Sequence, residues 1–499
     1  MSQQEKPMKI SKVLRQKAQE MLGSRKYANN LLDIMRHFDT GADTCPCILT
    51  LEMIFTSLLK SSEMFIEIVP LKPMERTAEI QYREWLKQIY EEAWNKMVHC
   101  LDHASPKVAT QALASCMNIM AHEGRYPLEP RSSQEHYIPF YRLKPIVMKI
   151  IFNRQSSAHL INKFQEYLVY DDMLFATWKL LPSLTAKTNP NDVYIMNFLM
   201  LLEKLQLQQN TEGSILFSTE EGEHNFIYDE NSARKSLNKV WNCVMLWEQG
   251  PVTLKQLLIV LLERVMPYLD KPLMLTDFLM DALDIGGPVS LLALQGLFTL
   301  IQSHNLDYPN IFAKLYSMFE PEIFHTKFKA RLFYLSDMFL SSTHLPENMV
   351  AAFAKRLARL ALIAPSEDII IICMFIGNLI LRHPGLKCML NHPNGGSATN
   401  DPYIMEERDP VKSNAINSSL WEIQSLQNHV LPSVAMAARF INTPLPSVEW
   451  DITKVLDNSS DDIFDKEIKK NHKLIALAFD RPNGCFLNRG EIISQYWNF

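Results

Sequence analysis

Apolar residues recur along most of this chain at spacings of three and four, the period of an α-helix laid against a core. In the stretch 325–340, Phe328, Leu332, Leu335 and Phe339 fall on one line. Phe333 and Leu340 form a second apolar strip roughly 120–140° further round the helix. Two strips call for neighbours on two sides, so this segment is expected inside an array. The run 349–362 repeats the pattern, with Met349, Phe353, Leu357 and Leu360 as its seam.

The same periodicity places helices at Ser11–Met21, Lys26–Phe38, Leu49–Lys60 and Glu79–Leu101, and another from a Ser105 cap with Pro106 in its first position to His122. Tyr141–Phe152, Ala158–Leu181, Asn191–Leu207 and Ser419–Ile441 read as further single helices. From Ser232 onward helix starts fall near 233, 253, 273, 289, 309, 326, 347 and 367. Alternate starts lie roughly 36–41 residues apart, close to the ~40-residue unit of stacked helix pairs. Gly250-Pro251, Gly286-Gly287-Pro288, Pro309, Pro321, Pro346 and Pro365 punctuate the series, each stopping one helix or opening the next. The predicted fold is all-α: an α-solenoid of HEAT/armadillo-like antiparallel helix pairs. Four segments are expected: an N-terminal helical repeat arm over 1–207, an acidic mobile insertion over 208–231, a C-terminal helical repeat domain over 232–442 and a partly ordered tail over 443–499. The polar stretch Asn391–Asn414 reads as a solvent-exposed excursion.

Composition narrows the class. Hydrophobic residues make up 47% of the chain, charged residues 21%, and glycines number only 15, which is globular and leans toward helix. A formal charge of −5 argues against a general nucleic-acid binder, so any RNA contact has to come from local basic clusters. The eight cysteines lack paired spacing and several sit in apolar helical runs, which suits a reducing compartment. No apolar core of a secretory signal follows Met1, and a nuclear or cytosolic location is expected. Val289–Ile301 and Ile369–Leu381 are apolar but shorter than the ~18–20 residues of a bilayer span, so both are expected to be core helices.

Little here suggests catalysis. Gly286-Gly287 lies between helices and Gly395-Gly396 in a polar loop without the lysine of a phosphate cradle. Cys45-Pro46-Cys47 has no second pair at ligand spacing, the histidines form no H-x-x-x-H cluster, and no G-x-S-x-G elbow presents a nucleophile. A non-enzymatic chain without cofactor or metal is expected. Basic clusters are the better lead. On a helical wheel Lys355, Arg356 and Arg359 occupy a sector about 100° wide, away from the apolar seam of their helix. Lys327, Arg331 and Tyr334 share a face of the preceding helix. These six are candidates for docking RNA phosphates or an acidic peptide, against the plainer reading of a solvated face laced with intrahelical ion pairs. Ser459-Ser460-Asp461-Asp462 reads either as a helix cap or as an acid-directed phosphorylation site; the Ile-Phe that follows favours the cap.

Several runs carry a resemblance. Pro272–Leu279, Asp284–Leu294, His304–Pro309, Lys314-Leu315-Tyr316, Phe339–Pro346 and Val350–Leu362 together look like the nucleolar complex protein four family, within the CCAAT-binding factor and nucleolar complex superfamily. The likeness is dense over roughly 250–392, continues at Ser419-Leu420-Trp421-Glu422, and reappears weakly at Phe164–Asp172. It does not cover 208–231 or the tail after Pro444. The resemblance implies a non-enzymatic nucleolar ribosome-biogenesis factor needed for small-subunit assembly and small-subunit pre-rRNA processing. It further implies a heterodimer with nucleolar protein 14 among the proteins of the small-subunit processome, next to pre-rRNA. The alternative for a helical, acidic chain is an importin-like transport adaptor, which would show acidic inner helices and Ran binding.

Overall fold

The computed structural model describes residues 10–40, 44–66, 77–129, 137–208, 214–217, 226–304, 306, 310–390 and 400–469. Among them every regular element is a helix. They fall into two compact units, residues 1–306 and 307–499.

In the first unit α1 (Ile10–Gly23), α2 (Asn29–Thr40), α3 (Thr44–Lys60), α4 (Ala78–His99) and α5 (Pro106–Arg125) are followed by α6 (Phe140–Ile151), α7 (Ala158–Gln165), α8 (Asp171–Leu184) and α9 (Asp192–Lys204). After the polar stretch come α10 (Glu230–Val244), α11 (Pro251–Val260), α12 (Thr276–Ile285) and α13 (Gly287–His304). Helices two places apart stack: α1, α3, α5, α7, α9, α11 and α13 form one row, and α4, α6, α8 and α10 another, while α2 packs on α1 and α3, α4 also leans on α5, and α12 pairs with α13. This is the stacked-pair architecture expected from the periodicity, with each pair covering its neighbour's apolar face. Local chemistry sets the ends. Thr77, Asn191 and Asp229 accept backbone N–H bonds from the first turns of α4, α9 and α10. Between α12 and α13 the chain reverses through Gly286 and Gly287 at φ +88° and +65°, a left-handed backbone that other residues adopt only with strain.

The structure differs from the sequence reading at two stretches of this unit. The helix read as Ala158–Leu181 is two, broken over 166–170, and α8 restarts with Asp171 and Asp172 in its first turn. The buried carboxylate of Asp172 accepts the backbone N–H groups of Leu216, at 3.0 Å, and Phe217, at 2.9 Å. The Phe217 ring sits where a side chain at position 124 would go, against Gly124. The insertion expected to be mobile over 208–231 is therefore pinned at 214–217 to α5 and α8; residues 209–213 and 218–225 lie outside the described set. Nor does 208–231 separate two units. Helix α10 packs on α8 and α11 on α9, so both belong with the first arm, and the division falls at 306/307.

The second unit contains α14 (Ile311–Ser317), α15 (Lys329–Phe339), α16 (Glu347–Ala361), α17 (Ser366–Arg382), α18 (Trp421–Leu426), α19 (Pro432–Ala438) and α20 (Ser460–Lys469). The expected single helix Ser419–Ile441 is interrupted over 427–431, because Pro432 has no N–H to continue it and pushes the residue before it out of the helical region. Leu332, Leu335, Phe339, Phe353 and Leu360 are buried as the seam required; Phe328 is half-buried, being the residue before α15 begins. Phe339 is 5% exposed and meets Phe312 edge-on at 6.2 Å. Phe339→Ala will cost about 3 kcal/mol in a urea melt, near the low end for a buried aromatic because a margin of the ring is wet. A loss under about 1 kcal/mol would mean the ring contributes no core packing.

The chain after α19 straps back across α17. Asn378 exchanges both its amide groups with the backbone of Trp450, at 2.8 Å each, and the Trp450 ring lies directly over Gly377. Arg382 bridges Asp337 and Glu449. At the head of α20 the Ser459 hydroxyl and Asp462 carboxylate bond reciprocally, the capping box favoured from sequence. Residues 470–499 lie outside the described set, and so does any test of the tail there. Among the described residues no helix is long and apolar enough to cross a membrane, and no group of three metal-ligating side chains gathers.

Candidate interaction site

Helix α16 has the amphipathic pattern of a surface helix, yet Val350 to Ala358 are all buried. Lys355 is fully buried and Arg356 is 9% exposed; only Arg359 is half-open. The basic stripe expected to face solvent is an internal one. What covers it is the stretch 401–422, which the sequence placed in an exposed excursion as far as Asn414. Tyr403, Pro410, Ser413, Ala415, Ser418 and Leu420 of that return are buried, while 391–399 lie outside the described residues.

Each buried cation has found counter-groups there. The Lys355 ammonium lies 2.8 Å from Asp401 and 2.7 Å from Glu422, and donates to the Ser419 carbonyl at 2.6 Å. Arg359 reaches the same two carboxylates at 2.7 and 2.8 Å. The Trp421 indole donates to Asp401 at 2.9 Å, and its ring carries the Arg359 guanidinium at 4.8 Å from its centre. Arg356 donates to the carbonyls of Phe319 and Met405 and stacks on Tyr316, whose hydroxyl meets that of Tyr403 at 2.7 Å. Burial alone would raise the Asp401 carboxyl. The hydrogen bonds from Lys355, Ser418 and Trp421 outweigh burial and hold it well below the usual carboxylate range. In Glu422 burial wins against Lys355 and Arg359, and its carboxyl is pushed up.

Within this cluster both acids, both cations and the indole are engaged by their own chain, and together they clamp 401–422 onto α16. Sequence reasoning missed Asp401, Trp421 and Glu422 as partners. The available signal was Ser419–Glu422, a recognisable run ending in an acid, set against three cations on one helix sector.

The other half of the expected site is at the surface. Lys327, Arg331 and Tyr334 are exposed, the last two on the outward face of α15 and Lys327 two residues before it. Lys329, set apart from them, turns inward to the buried Asp368 at 2.9 Å. The six candidates thus separate: three form an exposed basic and aromatic face, and three hold the fold.

An all-α helical-repeat array joined to a unit organised around a clamped central helix defines the class. The two portions answer to separate families: residues 4–189 match the family described as nucleolar complex protein 4-like, TPR repeats, and residues 290–438 match the CBF/Mak21 family. Along its whole length the chain is 35% identical to nucleolar complex protein 4 homolog B of Xenopus laevis, covering 96% of this chain and 94% of that protein. It is 36% identical to homolog A of the same species over 96% and 94%, and 33% identical to the Homo sapiens homolog over 98% of each. The chain belongs to the nucleolar complex protein 4 family. Its resemblance, read from a few runs in the middle, extends over 96–98% of the chain.

Proposed function

We propose that this chain is a non-enzymatic scaffold of nucleolar ribosome biogenesis, acting in small-subunit processome assembly and small-subunit pre-rRNA processing as a heterodimer with nucleolar protein 14. The observation that carries the reading is the near end-to-end match to relatives named as nucleolar complex proteins, none of whose names is that of an enzyme. The stacked helices of the first unit support it in kind, since such arrays offer long surfaces to partner chains. On the second unit, the exposed face of Lys327, Arg331 and Tyr334 is the docking point we assign to an acidic stretch of the partner.

Two measurements test this. A tagged chain will concentrate in the nucleolus and leave it with salt, and its depletion will raise small-subunit rRNA precursors; cytoplasmic shuttling with Ran-dependent cargo release would replace the scaffold reading with the importin-like one. The double variant Lys327→Glu/Arg331→Glu will melt like the wild type, because both side chains are exposed, and will lose co-purification with nucleolar protein 14 most steeply at low salt. Undiminished co-purification at low salt would leave this face a solvated one.

A further inference from the structure

Helix α6 is apolar on two sides. Leu143, Ile146, Val147 and Ile150 are buried in the helix stack, while Tyr141, Met148 and Phe152 are 51%, 44% and 52% exposed, with Pro145 half-buried among them. At 100° per residue these last four fall within a sector of about 60°, and from Tyr141 to Phe152 the stripe runs about 16 Å. Spacings of four, three and four are those of a ridge on which a second helix packs. The rings at its two ends are already held. The Arg142 guanidinium lies 4.8 Å from the centre of the Tyr141 ring, and the Phe152 ring leans on that of Tyr194 at 4.9 Å. Rings fixed before contact make good interface anchors, because they have little freedom left to lose on binding.

The charge around the stripe has one sign. From Tyr137 to Gln165 the sequence holds Arg142, Lys144, Lys149, Arg154 and Lys163 and not one Asp or Glu, in a chain whose formal charge is −5. Lys144 is exposed on one margin of the stripe, and Arg154 is exposed two residues beyond Phe152. Helix α8, which packs beside α6, exposes only Lys179 and Ser183; its carboxylates, Asp171 and Asp172, are buried. On the opposite flank Glu91 is held by Arg142 and Asp102 by Lys149. We propose that this face of α6 docks an acidic amphipathic helix of a partner protein, about three turns long, with its apolar side on Tyr141, Met148 and Phe152 and its carboxylates toward Lys144 and Arg154. An RNA strand fits the face less well, because Pro145 and Met148 fill the space between the two rings and give a base no aromatic surface to stack on. This site belongs to the first unit and does not depend on the docking assigned to Lys327 and Arg331.

A designed peptide and the full-length chain decide the matter. The probe is a helix of about 18 residues, five turns, with leucines at spacings of three and four, glutamates on both sides of them and a photoreactive benzophenone in the leucine stripe. It will bind saturably in fluorescence anisotropy and crosslink within 141–154. Met148→Glu, a change at an exposed position that leaves the urea melt as it was, will weaken binding at least about 10-fold. Lys144→Glu will weaken it about 5-fold at low salt and much less at high salt, and the same peptide with lysines for its glutamates will bind at least about 10-fold more weakly. No saturable binding by about 1 mM, or binding that Met148→Glu and Phe152→Glu both leave unchanged, overturns the proposal. Tighter binding of a short oligouridine, crosslinked to Tyr141, overturns it in favour of RNA. A dimer in sedimentation that Met148→Glu dissociates overturns it in favour of a second copy of the chain.

Discussion

Lys355→Glu will unfold the 307–499 unit or reduce it to a loosely packed state. Removing one member of a buried ion pair costs about 3–5 kcal/mol, because its partner is left charged and dry. Here the reversal does more, placing a third carboxylate where Asp401 and Glu422 lie within 3 Å of the native ammonium. A surface lysine would give a change within about 0.5 kcal/mol. Urea melts followed by circular dichroism separate these outcomes, and a loss under about 1 kcal/mol would show that the clamp does not form. Acid will probe the same joint. The folded pKa of Asp401 is depressed, so its contribution is complete above its unfolded value, ~3.9, and is lost as the pH falls through the folded value. Glu422, shifted upward by burial, has the opposite sign, so Asp401 carries the acid sensitivity.

Arg142→Met will destabilise the first unit by a similar ~3–5 kcal/mol. Arg142 leaves α6 for the interior of the helix stack, where its guanidinium meets Glu123 at 3.0 Å and grips Glu91 with two bonds. Glu123 is as buried as the arginine, and its second donor is the Tyr90 hydroxyl at 2.6 Å. Without the arginine, one hydroxyl is left to satisfy a dry carboxylate whose burial already pushes its pKa up. The variant's deficit will therefore be smaller near pH 5 than at pH 8, since Glu123 then takes up a proton on folding. Adding Glu123→Gln will recover much of the loss, a coupling measurable in a double-mutant cycle. If the double variant is as unstable as the two single losses summed, the stacking of Arg142 on Tyr90, Trp94 and Tyr141 matters more than its charge.

The fold was largely legible because its punctuation is local. Proline and glycine breaks set helix starts to within a few residues from Pro251 to Ser366, and the apolar seam named the buried face of α15 correctly except at Phe328, the residue just before the helix. What could not be read was polar and distant. Periodicity sorts residues by hydrophobicity, so it sends any lysine or arginine to the outside. It cannot weigh a pair of carboxylates supplied 46 and 67 positions later by a stretch with loop composition. The same blindness hid Asp172, whose claim on the amides of Leu216 and Phe217 ties down a stretch that looked free. In the candidate site the basic residues were found, and their direction was right for Lys327, Arg331 and Tyr334 and reversed for Lys355 and Arg356.

The inward turn of Lys355 and Arg356 changes how alleles of this chain should be interpreted. A variant at either position will be cleared as misfolded chain, so its harm scales with dosage and a normal copy masks it. On the proposed docking role, a variant at Lys327 or Arg331 would leave a folded product at full abundance that still engages through its remaining surfaces, and such a product would poison assemblies built beside the normal copy. Recessive and dominant inheritance would thus divide along the wall between the two helix faces, and a screen scored only for lost partner binding would mistake the first kind for the second.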